Sequence, residues 1–315
     1  MNSVEIMERD QAYVANTYAR FPIALVRGEG ARCWDADGKA YIDLTSGIGV
    51  NALGFCDAKW AEAVSKQLLT LQHTSNLFYT EPCGKLAQTL CERAGMRKVF
   101  FSNSGAESNE GAIKCARKYG HMRRGADCHK IIALDQSFHG RTLATLMATG
   151  QAVFHQNFHP FPEGFVHAPA NDLPGTLALA DEQTCAIMIE MVQGEGGVWP
   201  LDAEYVHGIA DYCRDNDVLL IVDEVQTGIG RTGTLFAYQQ FGIQPDIVSC
   251  AKGLGGGLPI GAVLFGERTE GVLVKGDHAT TFGAGPALCA GALEVLARLD
   301  EEFLEEVRKK GEHIR

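Results

Sequence analysis

From about residue 57 to residue 265 the chain alternates two hydrophobic patterns, and this alternation restricts the fold more than any other feature. Helical spacing over residues 57–72, 84–94, 105–121 and 202–216 is interleaved with short apolar runs at 98–102, 130–134, 185–190, 218–223, 246–250 and 261–265. A wholly apolar run of strand length suits a strand covered on both faces, and intervening helices supply the cover. The predicted class is therefore α/β, with a mostly parallel sheet. At 315 residues, 46% of them hydrophobic, the chain can bury a core of that size and leave room for a smaller second domain. Ahead of the alternation, Ala24 to Arg27, Ala31 to Trp34 and Tyr41 to Leu44 are short extended pieces separated by Gly28-Glu29-Gly30 and Asp35-Ala36-Asp37-Gly38. Those turn signals predict a small antiparallel unit.

Open α/β sheets collect ligands at the carboxyl ends of their strands, and the chemically capable residues of this chain follow strands closely. Strand 218–223 ends in Asp223-Glu224, strand 185–190 ends in Glu190, and Lys252 follows strand 246–250 inside Ala251-Lys252-Gly253-Leu254-Gly255-Gly256-Gly257. A lysine can hold an aldehyde as a Schiff base, and a carboxylate at a strand end can keep a pyridine nitrogen protonated, which together are the requirements of pyridoxal phosphate chemistry. The same spacing also admits a turn-capping acid and a solvated lysine in a glycine-rich loop. Ser102-Asn103-Ser104-Gly105-Ala106-Glu107 runs from a strand into a helix. Free N–H groups there form a phosphate cradle, while Ser104 and Glu107 also read as an ordinary capping box. In Ser137-Phe138-His139-Gly140-Arg141 an aromatic ring able to lie on a cofactor stands three residues from an arginine able to fork onto a carboxylate.

A net charge of −11 argues against a nucleic-acid surface or an anionic membrane as partner. The ten cysteines include no closely spaced pair of the kind that binds zinc or performs thiol redox chemistry, and they read as reduced and mostly buried. His155, His159 and His167 are interrupted by Pro160 and Pro162, so no metal site is expected. Glu5, Glu8 and Asp10 stand where a secretory leader would be basic, and no apolar run reaches spanning length, which predicts a cytoplasmic protein.

Taken in order, Tyr18-Ala19-Arg20-Phe21-Pro22, His73-Thr74-Ser75-Asn76-Leu77-Phe78-Tyr79, Phe138-His139-Gly140-Arg141, Asp223-Glu224-Val225-Gln226-Thr227-Gly228 and Lys252 resemble the class III, ornithine-type pyridoxal-phosphate aminotransferases. Within that family the acylated-ornithine branch is the most similar. The resemblance implies fold type I, with residues 1–50 contributing to a small domain, 51–275 forming the cofactor domain, and 276–315 the interdomain helix and the start of the C-terminal small domain. It implies that Lys252 carries pyridoxal 5'-phosphate covalently and that Asp223 pairs with the pyridine nitrogen. Phe138 and Val225 would sandwich the ring, Gln226 would lie near its phenolic oxygen, Gly105 and Ala106 would bind phosphate, and Glu224 joins this cofactor set. Arg141, Tyr18, Glu190 and Glu195 would line the substrate pocket. Thr280 and Thr281 would reach the substrate and phosphate of a neighbouring subunit, so a homodimer with shared sites is expected.

The reaction implied is transfer of an amino group from N2-acetylornithine to 2-oxoglutarate. Other class III donors (succinylornithine, succinyldiaminopimelate, ornithine, 4-aminobutyrate) share the cofactor motifs and remain open, as do an aminomutase and a cofactor-binding protein without activity. Two departures stand out. Gly283-Ala284-Gly285-Pro286 replaces the family's usual Gly-Gly-Asn-Pro, and relatives are expected to continue beyond Arg315.

Overall fold

The computed structural model describes residues 1–314. Three short strands, β1 (Leu25–Glu29), β2 (Arg32–Asp35) and β3 (Ala40–Ile42), form an antiparallel meander near the N-terminus. The central sheet contains β4 (Lys98–Ser102), β5 (Lys130–Leu134), β6 (Phe165–Ala168) and β7 (Thr184–Ile189). A two-strand ribbon, β8 (Val192–Gln193) with β9 (Trp199–Pro200), interrupts the series before β10 (Leu219–Asp223), β11 (Ile247–Cys250) and β12 (Gly261–Phe265) return to the sheet. The spatial order is β4-β12-β11-β10-β7-β5-β6. All neighbours are parallel except β12, which runs antiparallel to β11 and to β4.

Every residue of β7 and β10 is buried because helices cover both faces. Successive side chains of a strand point to opposite faces, and β10 divides accordingly. Leu219 and Ile221 join the cluster built on Ile113, Ala116 and Tyr119 of helix Gly105–Arg124. Leu220 and Val222 join the larger cluster with Leu90, Ile209 and Val295, contributed by helices Glu81–Ala94, Ala203–Asp215 and Pro286–Arg298. Each such fully buried aliphatic side chain contributes roughly 1.5–3 kcal/mol, so a polar substitution in β10 would cost more than any surface change. The same alternation sends Asp223 to the side of helix Gly105–Arg124 and the next residue to the other side.

The predicted strands and helices are present within a few residues of their expected bounds. Helix Glu81–Ala94 starts three residues earlier than the periodicity suggested, since Pro82 lies in its first turn, where a missing N–H costs nothing, and Gly95 closes it with φ +65°. Strand β6 was not anticipated; it holds only four residues, and the half-buried His167 breaks its apolar run. The terminal segment is a second helix, Glu301–Ile314, which buries Leu304 and rests Phe303 on the core. Among the described residues no helix is long and apolar enough to cross a membrane.

Candidate active site

A cavity of about 460 Å³ opens where the carboxyl ends of β7, β10 and β11 meet the start of helix Gly105–Arg124. Of the residues singled out in the sequence, Gly105, Ala106, Phe138, Arg141, Glu190, Glu195, Asp223, Val225, Gln226 and Lys252 line it. Residues up to 147 positions apart, Gly105 and Lys252, are thus gathered at the strand ends, as an open sheet requires.

Asp223 is 3% exposed and carries a dense set of partners. Its Oδ2 accepts a hydrogen bond from Asn109 Nδ2 at 2.7 Å and meets His139 Nδ1 at 2.8 Å, while Oδ1 accepts from the Val225 N–H at 2.9 Å. Asn109 Nδ2 also donates to the His139 carbonyl at 2.8 Å, and its Oδ1 accepts from the Ser249 hydroxyl. A carboxyl group held by three partners has one orientation, which is what a fixed group at the floor of a site needs. Burial opposes a charge on His139, but the hydrogen bond and charge of Asp223 outweigh it and hold the imidazole pKa above its ordinary value. His139 Nε2 is buried without a hydrogen-bond partner.

Glu190 is buried beside this pair, its Oε1 accepting from the Phe138 N–H at 2.9 Å. Burial, reinforced by Asp223 and opposed by His139, pushes its carboxyl up to about 7. Lys252 is half-buried, and burial lowers its pKa against the opposing pull of Asp223, Glu195 and Glu190. Its backbone has φ +41°, in the left-handed region that costs an L-residue roughly 1–2 kcal/mol. Strain at one lysine, with a glycine directly after it, identifies a residue whose position is specified by something other than local comfort.

Two glycines allow the close approaches that shape the cavity. A Cβ on Gly105 would sit 2.6 Å from Val225 Cγ1, and one on Gly140, where φ is +141°, would sit 2.8 Å from the Ala106 Cβ. Ser104 caps the helix, its side chain accepting from the Glu107 N–H at 3.2 Å. Glu107 reaches back one residue further than a capping box would, to the Asn103 N–H at 2.9 Å, and so braces the loop before the helix. The guanidinium of the exposed Arg141 lies 4.0 Å from the Phe154 ring and 5.5 Å from the Phe138 ring. Among the described residues it has no acidic partner, and it is open to a ligand carboxylate. Gln226 Nε2 donates to Glu195 Oε1 at 3.3 Å across the mouth.

Four expected residues are not in this cavity. Glu224 is fully buried on the opposite side of β10, where its carboxylate accepts from the Thr227 hydroxyl at 2.6 Å and the Tyr238 N–H at 2.8 Å. It cannot touch a ligand in the cavity, because the strand's alternation turns it away from Asp223. Tyr18 is 69% exposed in a depression of the N-terminal segment, beside Arg20. Thr280 and Thr281 line a separate cleft with Asn76 and His278, and Thr280 Oγ1 accepts from Asn103 Nδ2 at 3.0 Å. Their loop contains Ala284 at φ +60°, in place of the glycine such a position favours. His155 and His167 engage backbone carbonyls of residues 146–149. Asn109, His139 and Ser249 belong to the site although their roles were not foreseen. Asn109 and Ser249 are each one polar residue in an otherwise apolar helix face or strand, a signal that only becomes specific once a partner is known.

The aminotransferase class-III family matches residues 13–315. An acetylornithine aminotransferase of Haemophilus ducreyi is 56% identical over 316 residues, covering 100% of this chain and 80% of its own length. One from Methanocaldococcus jannaschii is 45% identical, covering 100% of this chain and 79% of its own. Among solved structures, an ornithine aminotransferase of Toxoplasma gondii, described with partial occupancy of PLP at its active site, superposes with a TM-score of 0.92 at 34% identity, over 96% of this chain and 72% of its own. The N-acetylornithine aminotransferase of Stenotrophomonas maltophilia gives 0.82 at 36% identity, over 98% and 76%.

Proposed function

The chain belongs to the class III aminotransferases, and from that premise we propose that it uses pyridoxal 5'-phosphate to move an amino group from N2-acetylornithine to 2-oxoglutarate. The observation that carries this reading is the conjunction of Lys252 and the immobilised Asp223 in one cavity with 56% identity, over the whole chain, to an acetylornithine aminotransferase. The cavity suits that cofactor: a helix start opened by Gly105 for the phosphate, Val225 and Phe138 for the ring, and a buried carboxylate with no guanidinium beside it for a protonated ring nitrogen. When bound, pyridoxal phosphate supplies an aldehyde that captures amines and a ring that withdraws electrons from the carbon attached to nitrogen.

The protein's own groups do the rest. Backbone N–H groups at Gly105 and Ala106 would hold the phosphate at the positive end of the helix dipole. Asp223, held in one orientation by Asn109, His139 and the Val225 N–H, would pair with the ring nitrogen. Lys252 Nζ, whose pKa burial lowers, would take a proton from the substrate carbon and return it nearby. Arg141 receives the substrate carboxylate and is oriented by Phe154. Gln226, which would lie near the cofactor's phenolic oxygen, is bonded to Glu195 across the mouth of the pocket.

We also read Tyr18, Thr280 and Thr281 as belonging to the site of a second copy of the chain, since each is displaced from the cavity of its own. Residues 51–275 are then the cofactor domain, flanked by parts of a small domain. The test is conversion of bound cofactor to pyridoxamine phosphate, quantified by chromatography, when single amines are added without keto acid. N-acetylornithine should react at least about tenfold faster than ornithine or 4-aminobutyrate, a margin of one good polar contact. A faster reaction with another amine would overturn the donor, and no conversion with any would overturn transamination.

A further inference from the structure

The second acid of the Asp223-Glu224 pair is the most thoroughly buried charge-bearing group that the chemistry above does not use. At 0% exposure it accepts only: the Thr227 hydroxyl reaches Oε2 at 2.6 Å and the Tyr238 N–H reaches Oε1 at 2.8 Å. Its backbone is fixed too, the N–H donating to the Ser249 carbonyl at 2.8 Å and the carbonyl accepting from the Gly228 N–H at 3.0 Å. Gly228 is required for that turn, as a Cβ there would lie 2.7 Å from the Glu224 carbonyl oxygen. The two ends of the segment 225–238 are therefore tied to a single side chain. Its near end carries Val225, which touches Gly105, and Gln226, which bonds Glu195.

We propose that Glu224 is a positioning residue: its carboxylate fastens the segment 225–238 from beneath the sheet, while Asp223 fastens the Val225 N–H from above, so that Val225 and Gln226 meet the cofactor ring in one fixed pose. This rests on the cofactor reading given above. Consecutive carboxylates on opposite faces of β10 thus divide the labour, one facing the ligand and one facing the platform that flanks it. Burial pushes the Glu224 carboxyl up to about 7, eased by Thr227 and the Tyr238 and Ala237 N–H groups, which is consistent with a group retained for its bonds despite the cost of enclosing it.

The experiment compares Glu224→Ala, Glu224→Gln and Thr227→Val with the unaltered chain by three readouts: amide hydrogen exchange of the cofactor-free protein, the dissociation constant for pyridoxal phosphate, and Tm. Glu224→Ala should accelerate exchange across 225–238 while leaving β7 and β5 protected, and weaken cofactor binding at least about tenfold. Glu224→Gln, which keeps an acceptor for the Tyr238 N–H, should restore most of both. Thr227→Val should fall between them, and it carries the test if Glu224→Ala does not fold. Unchanged exchange in 225–238 for Glu224→Ala, or for Thr227→Val in its place, would overturn the anchor whatever the enzyme's substrate. Faster exchange with unchanged cofactor affinity would overturn the link to the site. A uniform rise in exchange with lower Tm and full affinity would reduce Glu224 to a structural residue.

Discussion

Strands β10 and β11 have ionisable groups at both ends, and the two ends handle them differently. At the amino end Arg268 lies between Asp217, at 2.9 Å, and Asp246, at 3.1 Å, with Arg123 and the Tyr119 hydroxyl completing the group around Asp217. Burial works against ionisation of Asp217, yet the hydrogen bonds from Tyr119, Arg123 and Arg268 hold it below the usual carboxylate range; Asp246, deeper, is pushed up by burial even so. At the carboxyl end Asp223 and Glu224, with Glu190 of the neighbouring β7, form no ion pair with a guanidinium among the described residues; the cationic groups beside them are His139 and Lys252. A network that balances its own charge is complete without a ligand. One that leaves acids short of cations is waiting for a partner that brings a proton or a positive centre, which is how the site can be told from the scaffold on the same two strands.

Substitutions on the two ends should separate activity from stability. Lys252→Ala should lower transamination at least about 10³-fold with Tm little changed, because the residue is strained and its side chain makes no hydrogen bond among the described residues; a variant retaining a tenth of the rate would break the division. Arg268→Ala should do the reverse, costing roughly 2–3 kcal/mol of stability, less than the 3–5 kcal/mol of a fully buried pair because its side chain is 30% exposed. Denaturant midpoints should show the loss, and kcat should stay within about twofold. A large fall in kcat would mean the two ends are coupled.

The pH dependence of stability should also have opposite signs. Glu190 and Glu224 titrate near 7 when folded against an ordinary 4.5, so the folded chain holds protons the unfolded chain has released. Their contribution is fully present below about 4.5 and is lost as pH rises through about 7, roughly 1–3 kcal/mol per carboxyl. The raised pKa of His139 has the same sign. Asp217, lowered on folding, contributes above its ordinary value of 3.8 and loses that contribution as pH falls through its folded value. Urea melts of cofactor-free protein across this range, with Glu190→Gln and Asp217→Asn, check both slopes; a Glu190→Gln variant with an unflattened neutral limb would contradict the assignment. The smallest effect expected is at Ala284, where φ is +60°: Ala284→Gly should raise stability by roughly 0.5–1 kcal/mol, measured as Tm, by removing strain in the loop that carries Thr281.

The sheet was legible because its strands are short apolar runs bounded by turns, and the cavity was legible because Glu190, Asp223 and Lys252 close such runs. Glu224 was not, although period-two alternation already implied that it faces away from Asp223. The partners of Asp223 escaped for a different reason: Asn109 and Ser249 lie 114 and 26 positions from it in sequence, and no local pattern announces a hydrogen bond between elements. Tyr18, expected in the substrate pocket, lies in a depression of the N-terminal segment, and Thr280 and Thr281, expected at a neighbouring subunit's site, line a cleft apart from the cavity; a family pattern names residues without giving their distance from the site.

The account turns on Lys252 as the residue that binds the cofactor covalently. The direct measurement is borohydride reduction of the protein loaded with pyridoxal phosphate, followed by peptide mass spectrometry. A single added cofactor on the peptide containing Lys252, abolished in Lys252→Ala, is the predicted result. Addition at another lysine, or the same yield of modified protein without Lys252, would contradict it.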